Sequence, residues 1–256
     1  MLIVSDVHGA FDDLARVVGS GEVVLVLGDL INLMDYRTGE GIIADVLGVD
    51  FARAAADLRA RGDYPALREL WRAEVGDRFG SIREAIDRRA EQEYAACGRA
   101  LAGGVGYVTY GNVDRPDLLA RSLPEGMRFV DGSVVELDGL RFGFVGGGVA
   151  TPVGADGEVT DEEMFEKLTA IGEVDVLCSH LPPAVTPLHV DVVTGRPERS
   201  SLPILEYLRD VQPRYHFFGD VHQPQATHWR VGRTRCRNVG YFRATRRPVE
   251  FDPQRL

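Results

Sequence analysis

Two segments of the sequence place an aspartate two residues before a histidine, directly after a short apolar run. Asp6 and His8 form the first pair, and Asp220 and His222 form the second. Carboxylate oxygen and imidazole nitrogen both bind first-row divalent metal ions. Because residues two apart in an extended segment point to the same side, we expect each pair to address a single metal site.

Three further apolar runs end in residues that can bind a metal. Asp29 follows Gly28, Asn112 follows Gly111, and His180 follows a serine. The carboxyl ends of strands in an open α/β sheet meet at one edge, where ligands bind. The predicted metal ligands at this edge are Asp6, His8, Asp29, Asn112, His180, Asp220 and His222. This set contains no thiolate, which argues against a structural zinc site.

Short apolar runs followed by glycine or by helix signals recur along the chain, a pattern typical of α/β proteins. The clearest runs lie at residues 2–4, 23–27, 107–110, 142–145, 174–177 and 215–218. Their continuous hydrophobicity predicts strands covered on both faces. Residues 129–148 contain two Asp-Gly pairs between β-rich runs, which predicts an antiparallel meander. The strands should therefore form a mixed sheet or two sheets.

Residues from about 50 to 103 hold long helical patterns with few β-branched residues. Asp63 is placed as a helix N-cap, and Ser81 and Glu84 match a capping box. We expect a helical insertion here, within a single domain of residues 1–256. It would form a lid or a contact between copies of the chain in a homo-oligomer. Residues 146–158, rich in glycine and proline, should form a surface loop.

Charge, apolar runs and cysteine content disfavour nucleic-acid-binding, membrane and secreted classes of protein. The formal net charge of -10 makes nucleic acid or an anionic membrane an unfavourable partner. No apolar run approaches the roughly 18 residues of a membrane helix. Because only Met1 precedes the first strand, we expect no signal peptide. The cysteines Cys97, Cys178 and Cys236 show no metal-type pairing, which predicts reduced thiols. We therefore expect a cytoplasmic protein.

The motifs D-x-H, G-D, G-N, S-H-x-P-P and G-x-x-H, in this order across residues 6–222, resemble those of the calcineurin-like metallophosphoesterase superfamily. Each motif alone is weak, but five in order are specific. The resemblance implies an α/β fold built as a four-layer α/β/β/α sandwich with mixed central sheets. It also implies two divalent metal ions at one edge of the sheets, which would be manganese, iron or zinc.

The resemblance also implies which residues bind each ion. The first ion would be held by Asp6, His8 and His222, the second by Asn112 and His180, and Asp29 would bridge the two. Asp29, Asn112 and His180 would also serve in catalysis. The implied reaction is hydrolysis of a small phosphoester, with a metal-bound hydroxide as the nucleophile.

Two positions depart from the family pattern. The family usually writes its last motif as G-H-x-H, and here Asp220 replaces the first histidine. An aspartate can bind a hard ion, which would favour manganese or magnesium over zinc at the second site. The alternative is that the aspartate side chain is too short to reach the ion well, which would leave the second site weak. Val113 stands where many members carry a histidine that protonates the leaving group, and valine cannot donate a proton. This loss implies either a substrate with a good leaving group or a proton donor elsewhere in the site, and it favours a phosphodiesterase over a phosphoprotein phosphatase.

Alternative interpretations stay open. The chain could instead be a phosphomonoesterase acting on a nucleotide or a phosphoprotein, or a binding scaffold without chemistry. Asp6 and His8 could also be a helix cap and a packed histidine. Asn32, Asp114 and His189 could support the site or belong to ordinary turns and loops, while His216 and His228 are expected to be structural. The arginines between positions 233 and 247 could bind phosphate or line the solvent face of a hairpin.

Overall fold

The computed structural model describes residues 1–35, 38–151 and 154–253. The strands in these ranges are β1 (Leu2–Val4), β2 (Val23–Leu27), β3 (Val105–Thr109), β4 (Met127–Phe129), β5 (Ser133–Leu137), β6 (Leu140–Val145), β7 (Gly148–Val149), β8 (Glu158–Val159), β9 (Val176–Ser179), β10 (Tyr215–Phe218), β11 (His228–Val231), β12 (Thr234–Asn238) and β13 (Val249–Glu250). The helices are α1 (Phe11–Val18), α2 (Ile42–Leu47), α3 (Val49–Arg61), α4 (Tyr64–Val75), α5 (Phe79–Ala100), α6 (Pro116–Ser122), α7 (Asp161–Ile171), α8 (Thr186–His189), α9 (Leu202–Asp210) and α10 (Phe242–Thr245).

Two mixed sheets form the centre of the molecule. The first has the strand order β13-β1-β2-β3-β4 and is parallel except where β13 pairs with β1. The second has the order β11-β12-β10-β9-β6-β5, with four parallel strands between antiparallel edges. The parallel strands of both sheets therefore bring their carboxyl ends to an edge, as the α/β pattern predicts.

Alternating residues of the central strands fill different layers. Ile3 and Phe144 belong to the apolar layer between the two sheets, whereas Val4 and Val145 face outward. The outer face of the first sheet packs against α1, α5 and α6, and that of the second packs against α7 and α9. The predicted four-layer sandwich is confirmed, and the double coverage explains why these strands are apolar throughout.

The predicted antiparallel meander at residues 129–148 is wrong in its first half. β4 lies in the first sheet and pairs in parallel with β3, whereas β5 and β6 form an antiparallel hairpin in the second sheet. The first Asp-Gly pair, at Asp131 and Gly132, therefore makes a crossing between sheets. Only the second pair, at Asp138 and Gly139, closes a hairpin.

The helical insertion consists of α2 to α5 and begins earlier than its sequence pattern indicates, at Ile42. Asp63 caps α4 by accepting a hydrogen bond from the Ala66 amide at 3.1 Å, as predicted. The capping box at Ser81 is wrong because α5 already begins at Phe79, which places Ser81 inside the helix. None of the helices in the described ranges is long and apolar enough to cross a membrane.

The Gly/Pro-rich segment 146–158 is less exposed than a surface loop. Its described part includes β7, which pairs in parallel with β8, and Gly146 to Gly148 are buried against the end of β3. Residues 152 and 153, which belong to the predicted loop, lie outside the described residues. The segment is therefore partly packed structure beside the site described next.

Candidate metal centre

The seven predicted ligands follow the ends of five strands and meet at the carboxyl edge between the sheets. Three of these strands, β1, β2 and β3, belong to the first sheet, and β9 and β10 belong to the second. The structure therefore brings together every side chain of the predicted set, from positions 6 to 222 of the chain.

One group of ligand atoms surrounds Asp6. His222 Nε2 lies 3.5 Å from Asp6 Oδ1, and His8 Nε2 lies 3.9 Å from the same oxygen. The two imidazole Nε2 atoms are 3.3 Å apart. These three side chains are arranged closely enough to hold one ion.

A second group surrounds His180. Its Nε2 lies 3.3 Å from Asn112 Oδ1, 3.4 Å from Asp29 Oδ1 and 3.6 Å from Asp220 Oδ1. Asp220 thus reaches the second group despite being shorter than the histidine of the family pattern. Asp6 also approaches this group, because its carboxylate lies within 4.8 Å of ligand atoms of Asp29 and His180.

Asp29 lies between the two groups. Its Oδ1 faces His180 Nε2, and its Oδ2 lies 3.6 Å from His8 Nε2. The Val113 amide donates to Asp29 Oδ1 at 3.1 Å and fixes the plane of the carboxylate. One carboxylate with an oxygen toward each ligand set is the arrangement that a bridging ligand requires.

Two histidines are oriented by backbone carbonyls. His180 Nδ1 lies 2.8 Å from the Leu27 carbonyl, and His8 Nδ1 lies 3.3 Å from the Ile31 carbonyl. Donation from Nδ1 to these carbonyls leaves the Nε2 lone pair directed into the site, which is the common arrangement of metal-binding histidines.

The backbone turns at the ligands, so the expectation that each Asp-x-His pair is extended is wrong. Asp6, His8, Asp29 and Asp220 have φ of 57°, 40°, 54° and 65°, in the left-handed region. For a residue other than glycine this conformation costs about 1 kcal/mol and is concentrated at functional sites. Left-handed turns at both residues of the first pair and at Asp220 of the second, not strand alternation, therefore direct these side chains into the site.

The alternative in which Asp6 and His8 only begin a helix is also wrong. The N-cap of α1 is Ala10, and no side chain caps this helix. Instead, the backbone amides of Asp6 and His8 donate to the carbonyls of Gly28 and Asp29 at 3.1 and 2.9 Å. These bonds extend the contact of β1 with β2 into the site and hold the two ligand-bearing turns together.

The electrostatics of the cluster favour a bound cation. Burial raises the pKa of Asp29 to about 8, with a further contribution from Asp6 and an opposing one from His180. Burial also lowers the pKa of His8 to about 4. Asp6 Oδ1 is buried and makes no hydrogen bond within the described part of the chain. A divalent cation would neutralise these carboxylates and satisfy that oxygen.

The other two histidines respond to neighbouring carboxylates. Burial opposes protonation of His180, but Asp29 and Asp220 outweigh it and raise its pKa. At His222 burial is likewise outweighed, here by the contact with Asp6, and the pKa is raised. Protons would therefore compete with any metal ion for these two ring nitrogens, and we expect the affinity for such an ion to decrease at lower pH.

Asp114 fixes the loop that carries Asp29. This carboxylate is 1% exposed and accepts hydrogen bonds from the backbone amides of Asp29, Leu30 and Gly111 at 2.7, 3.1 and 2.9 Å. It also accepts one from the Tyr94 hydroxyl at 3.2 Å. Asp114 is thus the supporting group anticipated from the sequence, and Tyr94 connects the helical insertion to the site.

We expect Asp114→Ala to destabilise the metal-free protein by about 3 kcal/mol or more, because it leaves several buried donors without an acceptor. Urea denaturation in the presence of a chelator measures this loss. Asp117→Ala, at an exposed position of α6 three residues away, is the matched control and should change stability by less than about 0.5 kcal/mol. Equal stabilities of the two variants would contradict the assigned role of Asp114.

The glycines that precede three of the ligands are required by close approach. A Cβ on Gly111 would meet Asp29 Oδ1 and lie 2.6 Å from His180 Nε2. A Cβ on Gly219 would meet Ser5 Oγ and Asp6 Oδ2. The motif glycines therefore leave room for neighbouring ligands of both sheets.

We expect Gly111→Ala to weaken metal binding by at least about 10-fold, since it displaces two ligands at once. Titration of the metal-free variant with Mn²⁺ measures this effect. Gly80→Ala adds the same methyl group in α5, where nothing lies within 4 Å, and should bind Mn²⁺ like the wild type. Unchanged binding by Gly111→Ala would show that the ligand atoms are not held as described.

The remaining polar candidates make other contacts. His216 is buried and bonded to Ser179 Oγ at 2.7 Å, and burial lowers its pKa to about 3. His228 is exposed on β11, and His189 Nδ1 lies 3.1 Å from the Glu198 carbonyl at the end of α8. Asn32 uses its backbone carbonyl to accept from Ile42. The contact of His216 fits its expected structural role, whereas the roles of Asn32, His189 and His228 stay predictions.

Two residues near the candidate ligands make contacts that the sequence does not predict. The Tyr241 ring stacks on the His222 ring at a centroid distance of 3.8 Å and an interplanar angle of 2°. Arg243 is one of the arginines considered for phosphate binding, but its Nη1 donates to the His8 carbonyl at 2.6 Å. Arg233 and Arg235 instead contact Gln212 and Tyr215 around the β11–β12 hairpin.

Comparisons with known proteins support the fold. Neither a protein-family model nor a curated protein matches the chain. One solved structure is 15% identical with a TM-score of 0.57, and the alignment covers 94% of this chain and 90% of that one. The crystal structure of TT1561 of Thermus thermophilus is 14% identical with a TM-score of 0.57, over 94% and 89% of the two chains. At these identities the likeness shows a shared fold.

Proposed function

We propose that the chain is a metal-dependent phosphoesterase of the calcineurin-like type, with two divalent ions and a phosphodiester as its preferred substrate. The observation that carries this proposal is the position of Asp29. Its two carboxylate oxygens face His8 on one side and His180 on the other, so that one residue joins two ligand sets.

The residues present fit two divalent ions. All seven candidate ligands offer oxygen or nitrogen, and the buried Asp6 Oδ1 lacks a hydrogen bond within the described residues. Asp220 adds a further carboxylate to the second set, which favours manganese over zinc. The three cysteines are buried in the apolar layers of the fold, so thiolate ligands play no part in this proposal.

When bound, the two ions would activate a water molecule and stabilise negative charge on the phosphoryl group. The protein's contribution is to hold and orient the ligands. Asp29 fixes the separation of the two sets, and the Leu27 and Ile31 carbonyls fix the histidine rings. Asn112 directs Oδ1 toward His180 and retains an amide group that can donate to a phosphoryl oxygen.

Val113 supports a phosphodiester as the substrate. Its amide is bonded to Asp29, and its side chain packs against the apolar layer beside the first sheet, where it has no proton to give. A substrate at this site must therefore lose its leaving group without a proton donor at position 113. This supports the phosphodiesterase over the phosphomonoesterase.

The test is hydrolysis of an aryl phosphodiester and of the matching aryl phosphomonoester by the purified protein with Mn²⁺ and with a chelator. We expect Mn²⁺-dependent hydrolysis with a higher kcat/KM for the diester. A higher kcat/KM for the monoester would overturn the proposed phosphodiester substrate and leave the proposed metal centre intact. Hydrolysis of neither ester with any divalent ion would overturn the proposed enzyme in favour of a binding scaffold.

A further inference from the structure

The segment that follows β12 packs against the first ligand group without supplying a ligand. The amides of Phe242 and Arg243 donate to the carbonyls of Ser5 and Asp6 at 3.1 and 3.0 Å. The first turn of α10 is thereby bonded to the backbone that carries Asp6, about 240 residues earlier in the chain. Residues 241–243 are called the clamp segment below.

The clamp segment holds His222 through an aromatic stack. The rings of Tyr241 and His222 are parallel within 2° at a centroid distance of 3.8 Å. Tyr241 also contacts His8 edge-on at 5.8 Å, so one phenol ring borders both imidazoles of the first group. Tyr241 is 7% exposed, and its ring therefore has little freedom to leave this position.

The clamp segment also binds the backbone of His8, through the side chain of Arg243. Arg243 Nη1 donates to the His8 carbonyl at 2.6 Å, and Nη2 donates to Glu40 at 2.8 Å. Asp35 lies 3.5 Å from the guanidinium Nε. Two carboxylates fix the orientation of this guanidinium. The guanidinium can therefore hold the His8 carbonyl in one position, which a mobile side chain would not do.

The clamp segment contacts the two residues of the first ligand group whose backbone conformation is unfavourable. Asp6 and His8 both have φ in the left-handed region, at 57° and 40°. Such conformations persist only where the surroundings impose them. His222 lies on the opposite sheet, after β10, and Asn112, Asp29 and His180 are held by other contacts. The side chains of Tyr241 and Arg243 therefore contact residues of the first ligand group, and the clamp segment is linked to the second group through Asp6, which borders both.

We propose that Tyr241 and Arg243 are positioning residues that preorganise Asp6, His8 and His222 for one of the two metal ions. This inference rests on the proposed dinuclear site. It predicts that loss of either side chain weakens one ion selectively, because residues that orient metal ligands typically contribute about 10- to 100-fold in affinity.

The test is calorimetric titration of the full-length, metal-free protein with Mn²⁺. Tyr241→Leu removes the ring plane and Arg243→Gln removes the guanidinium fork. We expect each to raise one of the two dissociation constants by at least about 10-fold and to change the other much less. Tyr241→Phe keeps the ring, and Arg247→Gln removes an exposed arginine of the same region. Both controls should bind two ions like the wild type.

Two backgrounds identify which ion is affected. In His180→Asn the first group alone remains, and Tyr241→Leu should weaken the remaining ion. In His222→Asn the second group alone remains, and Tyr241→Leu should have no effect. NMR of the metal-free protein adds a second readout, because the His222 ring signal should lose the ring-current shift of Tyr241 in Tyr241→Leu and keep it in Tyr241→Phe.

The outcomes separate this inference from the proposed function. Two ions in the wild type and unchanged affinities in Tyr241→Leu and Arg243→Gln would overturn the positioning role alone. Equal weakening of both ions would also overturn it, since the role is specific to the first group. No Mn²⁺ binding by the wild type would overturn the dinuclear site itself. If Tyr241→Leu does not fold, Arg243→Gln carries the test with Arg247→Gln as its control.

Discussion

Asp29→Asn is expected to abolish binding of the metal pair and to lower kcat/KM for an aryl phosphodiester by at least about 100-fold. Loss of a residue that only orients a metal ligand already costs up to about 100-fold in affinity or activity, and loss of a ligand should cost more. The asparagine can still accept the Val113 hydrogen bond, so the loop should remain in place. What is lost is the second charged oxygen that joins His8 to His180. Calorimetric titration with Mn²⁺ and steady-state kinetics measure the two effects.

The same substitution should stabilise the metal-free protein at alkaline pH. The pKa of Asp29 is raised from 3.8 to about 8, so the native state binds this proton more tightly than the unfolded chain does. The stability linked to Asp29 is present below pH 3.8 and is lost as the pH rises toward 8. Asp29→Asn should therefore exceed the wild type by at least about 1 kcal/mol at pH 8, and the difference should vanish near pH 4.

Asp138→Asn is the matched control for Asp29→Asn. Asp138 lies at an exposed hairpin position with φ of 50°, close to the 54° of Asp29, so the chemical change and the backbone are the same. It should leave metal binding at the wild-type level. Wild-type affinity for two ions in Asp29→Asn would show that Asp29 is not shared between them.

Asp220→Asn is expected to reduce the bound Mn²⁺ from two ions to one and to lower kcat/KM by about 100-fold. The reason is that Asp220 Oδ1 lies 3.6 Å from His180 Nε2, among the atoms of the second group. An amide oxygen without charge is a weaker ligand for a hard ion. Elemental analysis of protein dialysed against Mn²⁺ measures the number of ions.

Asp220→His restores the histidine that the family pattern has at this position and so tests the same departure in reverse. It supplies the imidazole of the G-H-x-H pattern, so two ions should remain, with the affinity ratio shifted toward Zn²⁺. Asp210→Asn, an exposed change at the end of α9, is the control and should leave the metal content at the wild-type value. Two tightly bound ions in Asp220→Asn would remove Asp220 from the ligand set.

The clustering of the candidate ligands could be predicted because their chemistry conflicts with their surroundings. An aspartate or histidine directly after a buried strand has few structural reasons to be there, and Asp6, Asp29 and His180 each lie in such a position. The sheet rule then places them at one edge. The layered fold could be predicted in the same way, from runs apolar at every residue.

The local geometry of the site could not be predicted because it depends on contacts between distant segments. The left-handed turns at Asp6 and His8 are imposed by hydrogen bonds to Gly28, Asp29 and Arg243, none of which leaves a pattern near residue 6. Asp131-Gly132 and Asp138-Gly139 have the same composition, and only pairing in different sheets separates a crossing from a hairpin. Tyr241 is one of eight tyrosines, and only the folded chain places it on His222.

The measurement that tests the central claim most directly is a crystal structure grown with Mn²⁺, with anomalous differences collected at the manganese edge. We predict two anomalous peaks about 3.5 to 4 Å apart. One should lie among Asp6, His8 and His222, the other should lie beside His180, and Asp29 should contact both. A single peak, or peaks that do not contact Asp29, would contradict the dinuclear centre.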